Sequence, residues 1–185
     1  EITKQDNQLD FVSKFKNNCY TLVAGSTWKE DEELLVNYIN SSASEKEKFI
    51  IAPHNINEKE IQELKNSISK KVVLFSENGE KKLEAYQVFI IDTIGILTKV
   101  YSYADIAYVG GGFTKSGVHN VLEPATFGIP IIIGPNYSKF IEVKELVDKK
   151  ACFSINNSQK LSVLLSSFFI DKNIKYLTIK LEWKL

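Results

Sequence analysis

Six short stretches constrain this chain more than anything else in it: CYTLVAG (19–25), KFIIAP (48–53), KVVLFS (71–76), QVFIID (87–92), DIAYVGG (105–111) and IPIIIG (129–134). Each is a near-continuous apolar run rich in Val, Ile, Leu and Phe. A strand with one wet face alternates apolar and polar residues, whereas an unbroken run reads as a strand buried on both faces. Between the runs lie segments of helical spacing. In STWKEDEELLVNYIN (26–40) the apolar positions are Leu34, Leu35, Tyr38 and Ile39, and acids at 30–33 suit a helix start. Ser26 or Thr27 can cap that helix. In 57–68 one face carries Ile61, Leu64 and Ile68. Further helices are expected at 93–104, 120–128, 138–150 and 158–169, with a short strand at 151–155 and an exposed turn at Asn78-Gly79. The alternation predicts an α/β fold: a Rossmann-like, doubly wound parallel sheet of about six strands with helices on both faces. In such sheets ligands collect beyond the carboxyl ends of the strands, where the strand order reverses.

The length of 185 residues suits one domain. Lys+Arg and Asp+Glu balance at 23 each, which argues against non-specific nucleic-acid binding. All the basic residues are lysines, so any anion site must work without arginine's bidentate fork. Cys19 and Cys152 lack ligand-spaced partners and read as packed thiols, not a metal site. No apolar run approaches the about 18 residues of a membrane span. The opening EITKQD has no methionine, and we read 1–185 as a single domain excised from a longer enzyme.

The loop expected to carry chemistry is VGGGFTKSGVHNVLEP (109–124). Its glycines either clear space for a ligand against the backbone or permit a close-packed crossover. Gly112 and Gly117 have P-loop spacing, but Val118 and His119 stand where lysine and a hydroxyl are required. The GxGxxG dinucleotide fingerprint is absent after the first run, which ends AGSTW. His119 and Asn120 can donate to a phosphate oxygen, and Glu123 can accept from sugar hydroxyls or simply relieve a helix dipole. His54 follows Pro53 in another ligand-facing loop. Ser26 and Thr27 can cap, bind, or both. Lys29 and Lys115 are the lysines placed to add charge at the cleft.

The segments AGSTWKEDE (24–32), APH (52–54), DTIGILTKVYSYADIAYVGGGF (92–113) and GVHNVLEPATFGIPIIIGP (117–135), with the following YSKFIEVKEL, resemble the C-terminal half of the 3-deoxy-D-manno-octulosonic acid (Kdo) transferases of lipopolysaccharide assembly. The resemblance spans about residues 19–155. It implies the C-terminal half of a GT-B glycosyltransferase that moves Kdo from CMP-Kdo to a lipid A precursor, with inversion, no metal and no cofactor. Carried over by motif, Gly111 and Gly112 would line the donor phosphate beside the helix start at Asn120, with His119 adjacent. Glu123 would hold the ribose, and Ser26, Thr27 and His54 would face the phosphate and Kdo. The general base, the acceptor site and the membrane contact would belong to an N-terminal domain, so the chain alone would be inactive. The resemblance places the enzyme at the cytoplasmic face of the bacterial inner membrane. Alternatives are a GT-B transferase or epimerase using a UDP-sugar, and a non-catalytic nucleotide-sugar-binding module. Two departures stand out. Many relatives carry Pro-Arg-His where this chain has Ala52-Pro53-His54, and the tail at 156–185 lacks the family's glycine-containing close.

Overall fold

The structure, a computed structural model, describes Ile2 and residues 6–170. Seven strands form one sheet: β1 (Tyr20–Thr27), β2 (Glu47–Pro53), β3 (Val72–Leu74), β4 (Val88–Ile90), β5 (Ile106–Val109), β6 (Ile131–Ile133) and β7 (Cys152–Ser154). Every pairing is parallel, in the order β3-β4-β2-β1-β5-β6-β7. On one side of β1 the chain lays β2, then the edge strand β3, then inserts β4 between them; it returns to add β5, β6 and β7 on the other. The reversal falls between β1 and β5, which pair from Leu22↔Ile106 to Gly25↔Val109.

The helices are α1 (Asp10–Lys16), α2 (Lys29–Ser41), α3 (Glu58–Ser67), α4 (Leu97–Tyr101), α5 (Leu122–Ala125), α6 (Ile141–Asp148) and α7 (Ser158–Ile170). Alternate strand residues feed two separate cores. Val23, Ile50, Phe89 and Ala107 pack with Val12 and Phe15 of α1, Tyr101 of α4, Val121 and Ala125 around α5, and Val143 of α6. Leu22, Phe49, Ile90 and Tyr108 pack with Leu35 and Ile39 of α2, Ile61 and Leu64 of α3, and Leu161, Leu165 and Phe168 of α7. Such burial contributes about 1.5–3 kcal/mol for each large apolar side chain. The doubly wound architecture is the one expected from the unbroken apolar runs.

Several expectations need correcting. The strands number seven, not about six, because Cys152–Ser154 pairs with β6 through Ile131↔Cys152 and Ile133↔Ser154. The helix expected at 93–104 contracts to Leu97–Tyr101, and the one at 120–128 to a single turn, Leu122–Ala125. Pro124 is tolerated there because amides of a helix's first turn have no intrahelical acceptor. The helix expected at 158–169 is present as α7, which seats Leu161, Leu165 and Phe168 in the core. Residues 171–185 of the tail at 156–185 lie outside the described residues. Of the cysteines, Cys152 is buried, its thiol pushed up to about 12 by burial, and Cys19 is half-buried.

Candidate functional site

Beside the reversal of strand order, β1 ends in an irregularity. The ladder with β2 runs in step to Gly25↔Ala52, then resumes at Thr27↔Pro53, so Ser26 is an extra residue. Its φ is 53°, a left-handed conformation that a non-glycine residue adopts at a cost. The bulge turns the strand end so that the Thr27 carbonyl accepts from the His54 amide at 2.8 Å. It also delivers Trp28 to the start of α2.

Neither Ser26 nor Thr27 caps that helix. Trp28 occupies the cap position, and Asp31 reaches back to accept from its amide at 3.0 Å. Asp31 is fully buried. The same carboxylate accepts from the Gly111 amide at 2.9 Å and from the Tyr108 hydroxyl at 2.6 Å. One acid thus ties the loops after β1 and β5 together. Burial pushes its pKa up, against the lowering effect of its three donors, and pushes Tyr108 up as well. Thr27 is buried, with its hydroxyl donating to Glu32 Oε1 at 2.9 Å. Burial raises Glu32 to about 7 despite that hydrogen bond.

The glycine loop is packed against protein. Gly111 has φ +88°, and a Cβ there would meet the Gly117 carbonyl at 2.6 Å and the His119 ring at 2.7 Å. Gly112 lies against Gly134, with a Cβ on either meeting the other's backbone at 2.6 Å. The space these glycines leave free is filled by neighbouring backbone and by His119. Gly111 spends its amide on Asp31.

Three rings close the site. Trp28 Nε1 donates to His119 Nε2 at 2.8 Å, and the two rings are parallel to within 2°. His54 stacks across both, its centroid 4.7 Å from Trp28 and 4.4 Å from His119. Burial, with His54 as a secondary cause, holds His119 below the usual histidine range. On the opposite core, Glu123 Oε2 accepts from Thr98 Oγ1 of α4 at 2.6 Å, and Oε1 from Asn120 Nδ2 at 3.1 Å. The carboxylate is half-buried and oriented before any ligand arrives.

Of the residues singled out in the sequence, Ser26, Thr27, His54, Gly111 and His119 come together at the ends of β1, β2 and β5. Asn120 and Glu123 pair with each other. Gly112 sits behind them against the loop after β6. Lys29 is exposed and lines a groove of about 730 Å³ between α2 and α3, shared with Glu32, Glu33, Glu60 and Glu63. Lys115 is exposed in the turn at 114–117. Sequence reasoning missed Asp31, Trp28 and Thr98. Asp31 had a signal, since it continues the apolar face of α2 backward from Leu35, Tyr38 and Ile39. Thr98 had none, because its role exists only through the packing of α4 on α5. Among the described residues, no group of three or more His, Cys, Asp or Glu side chains is gathered to hold a metal ion, and no helix is long and apolar enough to cross a membrane.

No family model matches the chain. Curated relatives do. The 3-deoxy-D-manno-octulosonic acid transferase of Aquifex aeolicus is 36% identical over 130 residues, covering 69% of this chain and 35% of the relative. That of Chlamydia trachomatis is 30% identical over 155 residues, covering 82% and 36%. That of Rickettsia typhi is 29% identical over 181 residues, covering 94% and 38%. The chain spans about a third of the length of these relatives. Among solved structures, the C-terminal CMP-Kdo binding domain of WaaA from Acinetobacter baumannii superposes with a TM-score of 0.78 at 22% identity, covering 94% of this chain and 96% of that one. Anabaena HepE in complex with UDP-glucose gives 0.62 at 15% identity, over 93% and 46%. These structures share the fold.

Proposed function

This chain belongs to the family of the 3-deoxy-D-manno-octulosonic acid transferases, and from that membership we propose that it is the donor-nucleotide domain of such an enzyme, binding CMP-Kdo at the carboxyl ends of β1 and β5. The observation that carries the reading is the arrangement at the strand reversal. There the bulge at Ser26 and the rings of His54 and His119 meet at the ends of β1, β2 and β5, and Glu123, just beyond His119 in the chain, is pre-oriented by Thr98 and Asn120. This is the edge where open parallel sheets bind nucleotides.

The chemistry required is modest. Transfer breaks the bond between the anomeric carbon and a phosphate oxygen of CMP, so charge develops on the departing phosphate. Fixed N–H donors stabilise it without reorganising during the reaction. His119 has one ring nitrogen committed to Trp28 and the other left to donate. Glu123, its oxygens already oriented by Thr98 and Asn120, keeps further lone pairs for ribose hydroxyls. In this reading the acceptor is a lipid A precursor. The acceptor hydroxyl is deprotonated by a base in an N-terminal domain, which also meets the cytoplasmic face of the inner membrane. Ala52-Pro53-His54 offers no arginine beside His54, so donor binding relies on hydrogen bonds there, with Lys29 and Lys115 as the lysines that could add charge.

Titration of the 185-residue chain with CMP and with UDP, followed by NMR, tests the proposal. CMP should bind more tightly and shift the resonances of Ser26, His54, His119 and Glu123. Preference for UDP would move the assignment to a UDP-sugar enzyme. Binding of neither nucleotide would overturn the donor-domain reading.

A further inference from the structure

The parallel alignment of Trp28 and His119 fixes where a proton sits. Indole Nε1 can only donate, so His119 Nε2, 2.8 Å away, must be an unprotonated acceptor. A neutral imidazole then carries its proton on Nδ1. The surroundings hold the ring in this pose. The Nε2–Cδ2 edge abuts Gly111, where a Cβ would lie 2.7 Å from Cδ2 and 3.1 Å from Nε2. The His119 amide donates to the Gly110 carbonyl at 3.0 Å. Trp28 is itself held by its amide's hydrogen bond to the buried Asp31, which Tyr108 and Gly111 anchor in turn. Only the Nδ1–Cε1 edge of His119 is left uncommitted.

We propose that Trp28 is a positioning residue: it locks His119 in the Nδ1–H tautomer, so that His119 meets a bound anion as a neutral N–H donor and not as an imidazolium. The role in donor binding rests on the function proposed above; the tautomer lock does not. Protonating Nε2 would set two donors against each other and would place a cation under the face of His54. The titratable groups facing His119 are His54, from the end of β2, which opposes its protonation, and Asp31, from α2, which favours it. Burial acts with His54 in keeping the ring neutral. Phosphate binding would then be insensitive to pH over the range where an ordinary histidine gains its charge.

The test is ¹⁵N NMR of the whole chain, labelled at its two histidines, with the His54 signals assigned by comparison with His54→Gln. At about pH 7.5 His119 should show a protonated Nδ1 and a bare Nε2. Trp28→Phe keeps a ring beneath His54 but removes the donor. It should release His119 to the Nε2–H form that free histidine favours, raise its titration midpoint, and weaken CMP binding about five- to tenfold, the loss of one well-placed hydrogen bond. A proton on Nε2 in the unmodified chain, or an unchanged tautomer in Trp28→Phe, overturns the proposal. Should Trp28→Phe fail to fold, the unmodified chain still decides. The indole N–H resonance must move with the same midpoint as His119 on acidification, and an indole signal indifferent to that titration overturns the lock. Tautomers as expected in both chains, with CMP binding to neither, uphold the lock and overturn the donor reading instead.

Discussion

The two ends of the sheet treat polar groups in opposite ways. At the amino ends the buried and half-buried charges are sewn into the fold. Asp105 accepts from Lys16 Nζ at 2.6 Å and from the Thr21 amide at 2.9 Å. Glu47, only 5% exposed, takes the Tyr38 hydroxyl at 2.6 Å and the Ser44 amide at 2.7 Å. Lys48, 4% exposed, donates to the Glu84 carbonyl at 2.9 Å and lies over the Phe15 ring. At the carboxyl ends the backbone is left-handed at Ser26, two histidines face each other, and His54 and Asn120 are exposed. The first end spends its polar residues on stability. The second holds them in place with capacity left over, as a binding site requires.

Asp31 blurs that division, because it is as fully buried as anything at the amino ends. Asp31→Ala strands three donors and should cost about 3 kcal/mol or more of stability, read as a lower denaturation midpoint in urea. A loss below about 1 kcal/mol would mean the two loops hold together without it. Glu47→Ala, at the other end, should cost about 1–3 kcal/mol and leave CMP affinity unchanged. A change in affinity there would erase the contrast. Glu123→Ala should do the reverse, weakening CMP about tenfold while lowering stability by about 1 kcal/mol; calorimetric titration beside urea melts separates the two effects.

The smallest effect concerns pH. Glu32 titrates near about 7 in the folded chain, above the ordinary 4.5. The folded state therefore holds a proton that the unfolded state has released across that window. This acid's contribution is favourable below about 4.5 and is lost as pH rises through about 7. Glu32→Gln should flatten the fall in stability over that range, measured by urea unfolding at several pH values. An unchanged slope would place the fall elsewhere.

What could be read from the sequence divides along the same line. The apolar runs announced the sheet, because burial on both faces leaves no room for polar alternation. Helix lengths at 120–128 and 93–104 were overestimated, since local pattern cannot register that a glycine turn or a packed neighbour ends a helix early. Residues 10–16 gave no distinct signal for α1, which is held by Val12 and Phe15 against strands far along the chain. At the site, His54, His119 and Glu123 stood out by residue type and position. Trp28 was not singled out, and Asp31 was one of four acids that suit a helix start. The helical face of α2 marks Asp31 as the acid that turns inward, but only the structure shows which ring and which loop it steadies.

The contact between Gly112 and Gly134 bears on how this chain can vary. A methyl group on either one strikes the other's main chain, which cannot shorten in response as a side chain could. Neither position can change first and be rescued at the second. Lys115 and Ser116, on the outer rim of the same loop, are exposed and carry no such restriction.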